Sequence, residues 1–95
     1  MQVEKTKAFR NWINSLADLK GKARIQVRID RLAHGNPGDH RPLGGGVQEL
    51  RIDVGPGYRV YYLIRGDRLV ILLAGGDKSS QARDIRLALE LARYL

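Results

Sequence analysis

From Val47 to Gln81 the chain reads VQELRIDVGPGYRVYYLIRGDRLVILLAGGDKSSQ. This stretch decides the fold, because it divides into three strand-length runs separated by turn residues and then opens a helix. In Val47–Val54 the apolar Leu50, Ile52 and Val54 alternate with Glu49, Arg51 and Asp53, the period of two expected of a strand with unlike faces. Gly55-Pro56-Gly57 turns the chain. In the next run Tyr58, Val60, Tyr62 and Ile64 share one face, and Arg59, Tyr61, Leu63 and Arg65 the other. Gly66-Asp67 has the composition of a two-residue primed hairpin turn. Leu69–Ala74 is apolar throughout, as a strand covered on both faces requires.

Ahead of this stretch, Met1–Glu4 suits a short edge strand. Thr6 is placed to cap a helix on which Phe9, Trp12, Ile13 and Leu16 recur at i, i+3, i+4 and i+7, ending near Asp18–Gly21. A second helix to His34 turns Ile25, Ile29 and Leu32 inward and Lys20, Arg24, Arg28 and Arg31 outward, with Gly35 as its stop. So short a link predicts an antiparallel hairpin. Gly35–Gly46, GNPGDHRPLGGG, reads as loop. After Gly75-Gly76, Ser79 or Ser80 caps a last helix running nearly to Leu95. Ile85, Ala88, Leu89 and Ala92 form one apolar stripe on it, with Leu87, Leu91 and Tyr94 beside them. One stripe docks a helix on a sheet, so the second implies either unusual burial or a surface that meets a partner. The order is (β)ααβββα, an α+β domain over residues 1–95 with a small antiparallel sheet covered by helices.

Charge is the strongest global feature: 17 Lys+Arg against 10 Asp+Glu give +7. Arginine's planar fork pairs bidentately with phosphate or carboxylate, which points to a nucleic acid or an acidic protein partner. The absence of cysteine excludes disulfides and thiolate metal sites. No apolar run approaches the roughly 20 residues that span a bilayer, and the first residues lack a secretory h-region, so the expectation is a soluble, cytoplasmic protein without a membrane partner. HExxH, CxxC and GxxxxGK[ST] are all missing, and His34 and His40 are the only histidines, so neither metal nor cofactor is expected. The chemistry therefore rests on cations. Arg51 and Arg59 lie on consecutive strands, and Lys78 precedes the last helix, whose free N–H groups with Ser79 and Ser80 suggest an anion pocket. Tyr58, Tyr61 and Tyr62 offer rings on which bases could stack, although one or two of them must belong to the core.

The segment ELRIDVGPGYRVYYLIRGDRLVILLAGGDKSSQARDI, preceded by FRNWINSLADLKGKARIQVRIDRLAHGNPGDHRPLGGG, resembles the RelE/ParE toxin superfamily. Within it, the similarity is to the HigB-like addiction module killer branch related to phage Gp49-like proteins, carried jointly by ELR, GPGYRVYY and GGDKS. The resemblance implies the RelE-like fold and a toxin restrained by a co-expressed antitoxin. Most such toxins are endoribonucleases that cut mRNA on the ribosome; ParE relatives on the same fold instead poison DNA gyrase without catalysis, which is the alternative. By resemblance, Arg51 matches the basic position on the first long strand, Arg59 the arginine of the GYR motif, and Lys78 a cation before the last helix. Several RelE toxins carry a catalytic tyrosine just inside that helix; SSQARDI here puts Asp84 near that place, with no tyrosine before Tyr94. The expected catalytic set is Arg51, Arg59, Lys78 and Asp84, with Arg24, Arg28, Arg31, Tyr61, Ser79 and Ser80 binding RNA. The antitoxin is expected to be acidic, to bind DNA through a helix-turn-helix, and to cover Leu87, Leu91 and Tyr94.

Overall fold

The computed structural model describes residues 1–95. Strand β1 (Gln2–Lys5) leads into helices α1 (Lys7–Ser15) and α2 (Leu19–Ala33); then come β2 (His40–Gly44), β3 (Val47–Ile52), β4 (Tyr58–Arg65), β5 (Leu69–Asp77), a 3-10 turn (Lys78–Ser80) and α3 (Gln81–Ala92). The five strands form one sheet in the order β1-β5-β4-β3-β2. Only the β1–β5 pair is parallel. This is the expected RelE-like α+β arrangement, enlarged by one strand.

The extra strand is β2, which lies inside the segment expected to be loop. Pro42 cannot donate to a ladder and Gly44 has little strand preference, but an edge strand tolerates both. β2 pairs only with β3, across a bulge between Pro42 and Gly44. The turn after β4 is also longer than expected: the closing pair is Arg65 with Leu69, although Gly66 and Asp67 both adopt the positive φ of a primed turn.

Helix α1 begins where Thr6 Oγ1 accepts the Phe9 amide at 3.0 Å and donates to the Leu73 carbonyl of β5 at 2.6 Å. It ends at Ser15, earlier than its apolar spacing suggests, because Asp18 caps α2 instead, accepting from the Gly21 amide at 3.0 Å. Helix α1 lies over β5 and α2 over β3. Together they cover one sheet face, burying Phe9, Ile25, Ile29 and Leu32 against Leu50, Ile52, Val60, Tyr62, Val70 and Leu72.

Helix α3 covers the other face, where Ala88 packs with Val47, Tyr61, Leu63, Ile71, Leu73 and Ala74. A bulge opposite Tyr61–Tyr62 makes this possible, since Leu73 is skipped in the register and Leu73 and Ala74 both fall on the α3 side. The inverted alternation carries β5 through Gly75-Gly76, which local composition marked as a break. A Cβ at Gly75 would overlap the Trp12 indole, and one at Gly76 the Asp84 carboxylate. Glycine is required there by helices pressing from both sides, within a continuous strand.

Candidate functional site

Arg51 and Arg59 are direct cross-strand partners in the β3–β4 ladder, so both project toward the α3 side. Like charges placed this way destabilise a sheet unless something offsets them. For Arg51 the offset is Asp39, whose carboxylate accepts from Nη2 at 2.7 Å and Nε at 3.1 Å. Asp39 is held there by Arg28, whose guanidinium donates to the carbonyls of Arg51 (2.7 Å), Pro37 (2.9 Å) and Asp39 (3.2 Å). Arg28 is thus a buried staple, which corrects its expected place on the outward RNA-binding face of α2. Its helical position is only marginally turned from Arg24 and Arg31, but three carbonyls from the β2 approach and β3 draw it inward. Burial chiefly, then repulsion from Arg24 and Arg31, lowers its pKa, and Asp39 opposes them. Arg24 and Arg31 remain exposed.

Arg59 is only 8 % exposed. Its Nη1 donates to the carbonyls of Gly57 (3.1 Å) and Tyr58 (3.2 Å), while its buried Nε has no partner. Buried donors are ordinarily satisfied, so the partnerless Nε of Arg59 is an exception among the buried polar groups. Arg59 lines a cleft of about 170 Å³ with Asp53, Gly55, Pro56, Gly57 and Lys78, without a single hydrophobic side chain. Gly55 and Gly57 have φ of 56° and 80°, which glycine adopts without strain, so the turn between β3 and β4 folds back with only Pro56 between them bearing a side chain. Lys78 reaches it from the exposed 3-10 turn after β5. Broader depressions of the surface lie around Met1, Gln2, Asp67 and Arg68, at the opposite end of the sheet from this polar cleft.

The other expected site residues are placed differently. Ser79 and Ser80 do not frame an open anion pocket. Asp77 caps the turn, accepting from the Ser79 amide at 2.8 Å and from the Ser79 hydroxyl, so a carboxylate already occupies the position an anion would take. The hydrogen bond from the Ser79 side chain is the chief reason the Asp77 carboxyl is held below its ordinary range. The Ser80 hydroxyl donates to Asp84. Asp84, in the first turn of α3, is 5 % exposed and packs against Gly76 of β5, with Arg83 Nε 3.6 Å away. It lies outside the residues lining the cleft. Tyr61 is fully buried in the core under α3, so its ring has no face for a base; Tyr58 and Tyr62 are buried on the opposite side. The Tyr61 hydroxyl faces the Glu49 region without forming a hydrogen bond, and burial first, then Glu49 and Asp84, push its pKa up.

Glu49 is a site feature that alternation did not single out. Fully buried, its carboxylate is taken by Arg41 Nε at 2.7 Å and Gln81 Nε2 at 2.8 Å. Burial works to raise its pKa, but those bonds and the charges of Arg41 and Arg59 outweigh it and hold it below the ordinary range. It ties β2, β3 and the start of α3 together beside Arg59. Its position in register with Arg51 was visible in the sequence, whereas its burial depends on α3. His34 and His40 each spend Nδ1 on a nearby carbonyl, of Asp30 and Gly38.

On α3, Leu87 and Tyr94 are 39 % and 79 % exposed, whereas Leu91 packs against the core under the helix. The second apolar stripe is therefore divided between core and surface. No helix is long and apolar enough to cross a membrane.

Residues 11–93 match the family described as phage-derived protein Gp49-like (DUF891). An uncharacterized protein of Haemophilus influenzae is 48 % identical over 95 residues, spanning 100 % of this chain and 96 % of its own length. With the RelE-like sheet, the GYR arginine at a polar cleft and the match over nearly all of the sequence, the chain belongs to the Gp49-like family, a toxin-like family of the RelE/HigB type.

Proposed function

We propose that this protein is the toxin of a toxin–antitoxin pair and acts in the cytoplasm as a ribosome-dependent endoribonuclease that cuts mRNA and stops translation. The observation that carries this reading is Arg59: a nearly buried arginine with a partnerless Nε, beside Lys78 in a cleft lined only by polar residues and glycine or proline. Cleavage through attack of the 2′-OH on the adjacent phosphate builds negative charge on the non-bridging oxygens. Fixed donors aimed at those oxygens stabilise that charge without reorganising. Arg59, held beside the cleft by the Gly57 and Tyr58 carbonyls, supplies such a donor; exposed Lys78 adds a mobile positive charge next to it, and Arg51 joins them when RNA displaces Asp39. Exposed Arg24 and Arg31 extend the basic surface for the RNA backbone or its ribosomal surroundings. The partner is an acidic, DNA-binding antitoxin that neutralises these cations.

The test is to induce the protein without a partner and map mRNA 5′ ends, alongside a gyrase-cleavage assay. New 5′ ends within translated messages, absent for Arg59→Ala, support the nuclease. Trapped gyrase–DNA complexes with intact messages would replace it with a gyrase poison.

A further inference from the structure

The nuclease reading leaves open which group takes the 2′-OH proton, and most carboxylates near the cations are already committed. Asp39 is held by Arg51. Glu49 is fully buried between Arg41 and Gln81. Asp77 caps the 3-10 turn, and Asp84 on α3 is shut against Gly76 with the Ser80 hydroxyl on its oxygen. Asp53 differs from all four. It lines the cleft with Arg59 and Lys78, is exposed, and takes part in none of the three salt bridges and no side-chain hydrogen bond.

Its backbone is nevertheless fixed. The Val54 amide donates to the Ile52 carbonyl at 2.9 Å, which places Asp53 at the apex of a three-residue turn at the end of β3. This is the γ-turn common at strand ends, and it projects the side chain from a rigid support. The Gly57 amide closes the following turn on the Val54 carbonyl at 3.1 Å. A free carboxylate in a phosphate-binding cleft repels the phosphate. A cleft that served only to hold RNA would bind better without it.

Resting on the nuclease reading, we infer that Asp53 is the catalytic base of this site. Its carboxylate accepts the 2′-OH proton as the 2′-oxygen bonds to phosphorus. The phosphorus–O5′ bond breaks, its electron pair leaves with O5′, and the Lys78 ammonium protonates that oxygen. Solvent relays the proton from Asp53 back to Lys78, so the transesterification is proton-neutral. The products are a 2′,3′-cyclic phosphate and a 5′-hydroxyl. Arg59 holds the charge that gathers on the non-bridging oxygens.

The experiment compares wild type, Asp53→Asn and Asp53→Glu in single-turnover cleavage of a short mRNA on programmed ribosomes. Affinity is measured separately with the same RNA carrying a 2′-deoxy nucleotide at the cut. Asp53→Asn is expected to slow cleavage by about 100-fold or more, the usual contribution of a positioned base, and to flatten the acid limb of the pH–rate profile. It should bind the uncleavable RNA as tightly as wild type or several-fold tighter, because a repelling charge is gone, with an unchanged melting temperature. Asp53→Glu should recover part of the rate. Wild-type rate and pH profile in Asp53→Asn would overturn the assignment and leave the nuclease standing. A slower rate accompanied by equal loss of affinity or of fold would overturn it as well, showing a structural residue. A wild-type protein that cuts no message on the ribosome would remove both the nuclease and the role of Asp53.

Discussion

Arg51 and Arg59 face each other across the β3–β4 ladder, yet Arg51 is closed on Asp39 at 2.7 Å while Arg59 keeps a buried Nε without a partner. The two cations are therefore unequal in the free protein. On the nuclease reading, Asp39 stands where a phosphate would pair with Arg51, and RNA would have to displace it. Asp39→Asn should strengthen RNA binding several-fold, measured by titration with a short uncleavable RNA. Because this pair is substantially exposed, the same change should alter stability by less than about 1 kcal/mol.

Arg59→Ala should lower message cleavage by about 100- to 1,000-fold, the range for removal of one preorganised donor at developing charge. Growth arrest on induction should disappear with it. The carbonyls Arg59 contacts belong to Gly57 and Tyr58, immediately beside it in sequence, so the fold should persist. Circular dichroism and thermal melting of the variant check that separation.

Three arginines of α2 should behave in two ways. Arg28→Ala strips donors from three carbonyls and should destabilise the protein by about 2–3 kcal/mol, which a urea titration would register. Arg24→Ala and Arg31→Ala, both exposed, should shift stability by no more than about 0.5 kcal/mol. If they meet phosphates, each should instead lower the dependence of RNA affinity on salt by about one counterion.

The Tyr58 hydroxyl donates to Asp18 Oδ2 at 2.7 Å, joining the start of α2 to the β3–β4 turn. Hydrogen bonds from the Gly21 amide and from Tyr58 hold the Asp18 carboxyl below its usual range. The same bond, with burial and the Asp18 charge, pushes Tyr58 up to about 12. A lowered carboxylate pKa stabilises the fold above the ordinary carboxylate range of about 4 and is lost as pH falls through the folded value. A raised tyrosine pKa stabilises below the ordinary value of 10.0 and is lost as pH climbs toward about 12. Tyr58→Phe should therefore lower the melting temperature at neutral pH, flatten its decline between pH 10 and 12, and weaken its decline in acid. Melting curves across pH read all three changes.

Leu87 and Leu91, one turn apart on α3, should separate under substitution. Leu87→Lys places a charge on an exposed site and should preserve folding and toxicity. It should accelerate release of the antitoxin, since apolar contacts chiefly govern dissociation. Leu91→Lys pushes a charge into the packing beneath the helix and should lower the melting temperature whether or not an antitoxin is present. Tyr94→Ala should follow Leu87, given its exposure. Surface-plasmon dissociation rates together with melting temperatures distinguish the two classes.

Features that depend on local period and turn chemistry were legible in the residues alone. Alternation in ELRID put Arg51 opposite to Leu50 and Ile52 in facing, Thr6 marked the start of α1, and GPG separated two strands so that Arg51 and Arg59 could meet. Tertiary structure decided which faces are covered. The face shared by Arg59 and Tyr61 looked open because it carries arginines, but α3 lies over it, leaving Tyr61 in the core and Arg59 with a narrow polar outlet. Edge strand β2 exists because β3 supplies its ladder, a pairing that its own proline and glycine do not announce. Gly75 and Gly76 mark close packing by Trp12 and Asp84, although their composition is that of a turn. Arg28 becomes a staple because the Arg51 carbonyl, far along the chain, converges on it with those of Pro37 and Asp39, and Asp84 is withdrawn from the cleft in which Asp53 remains because Ser80 and Gly76 close around its carboxylate. Periodicity specifies the direction of a side chain relative to its own backbone; burial, charge pairing and access to substrate are set by what the rest of the chain places in front of it.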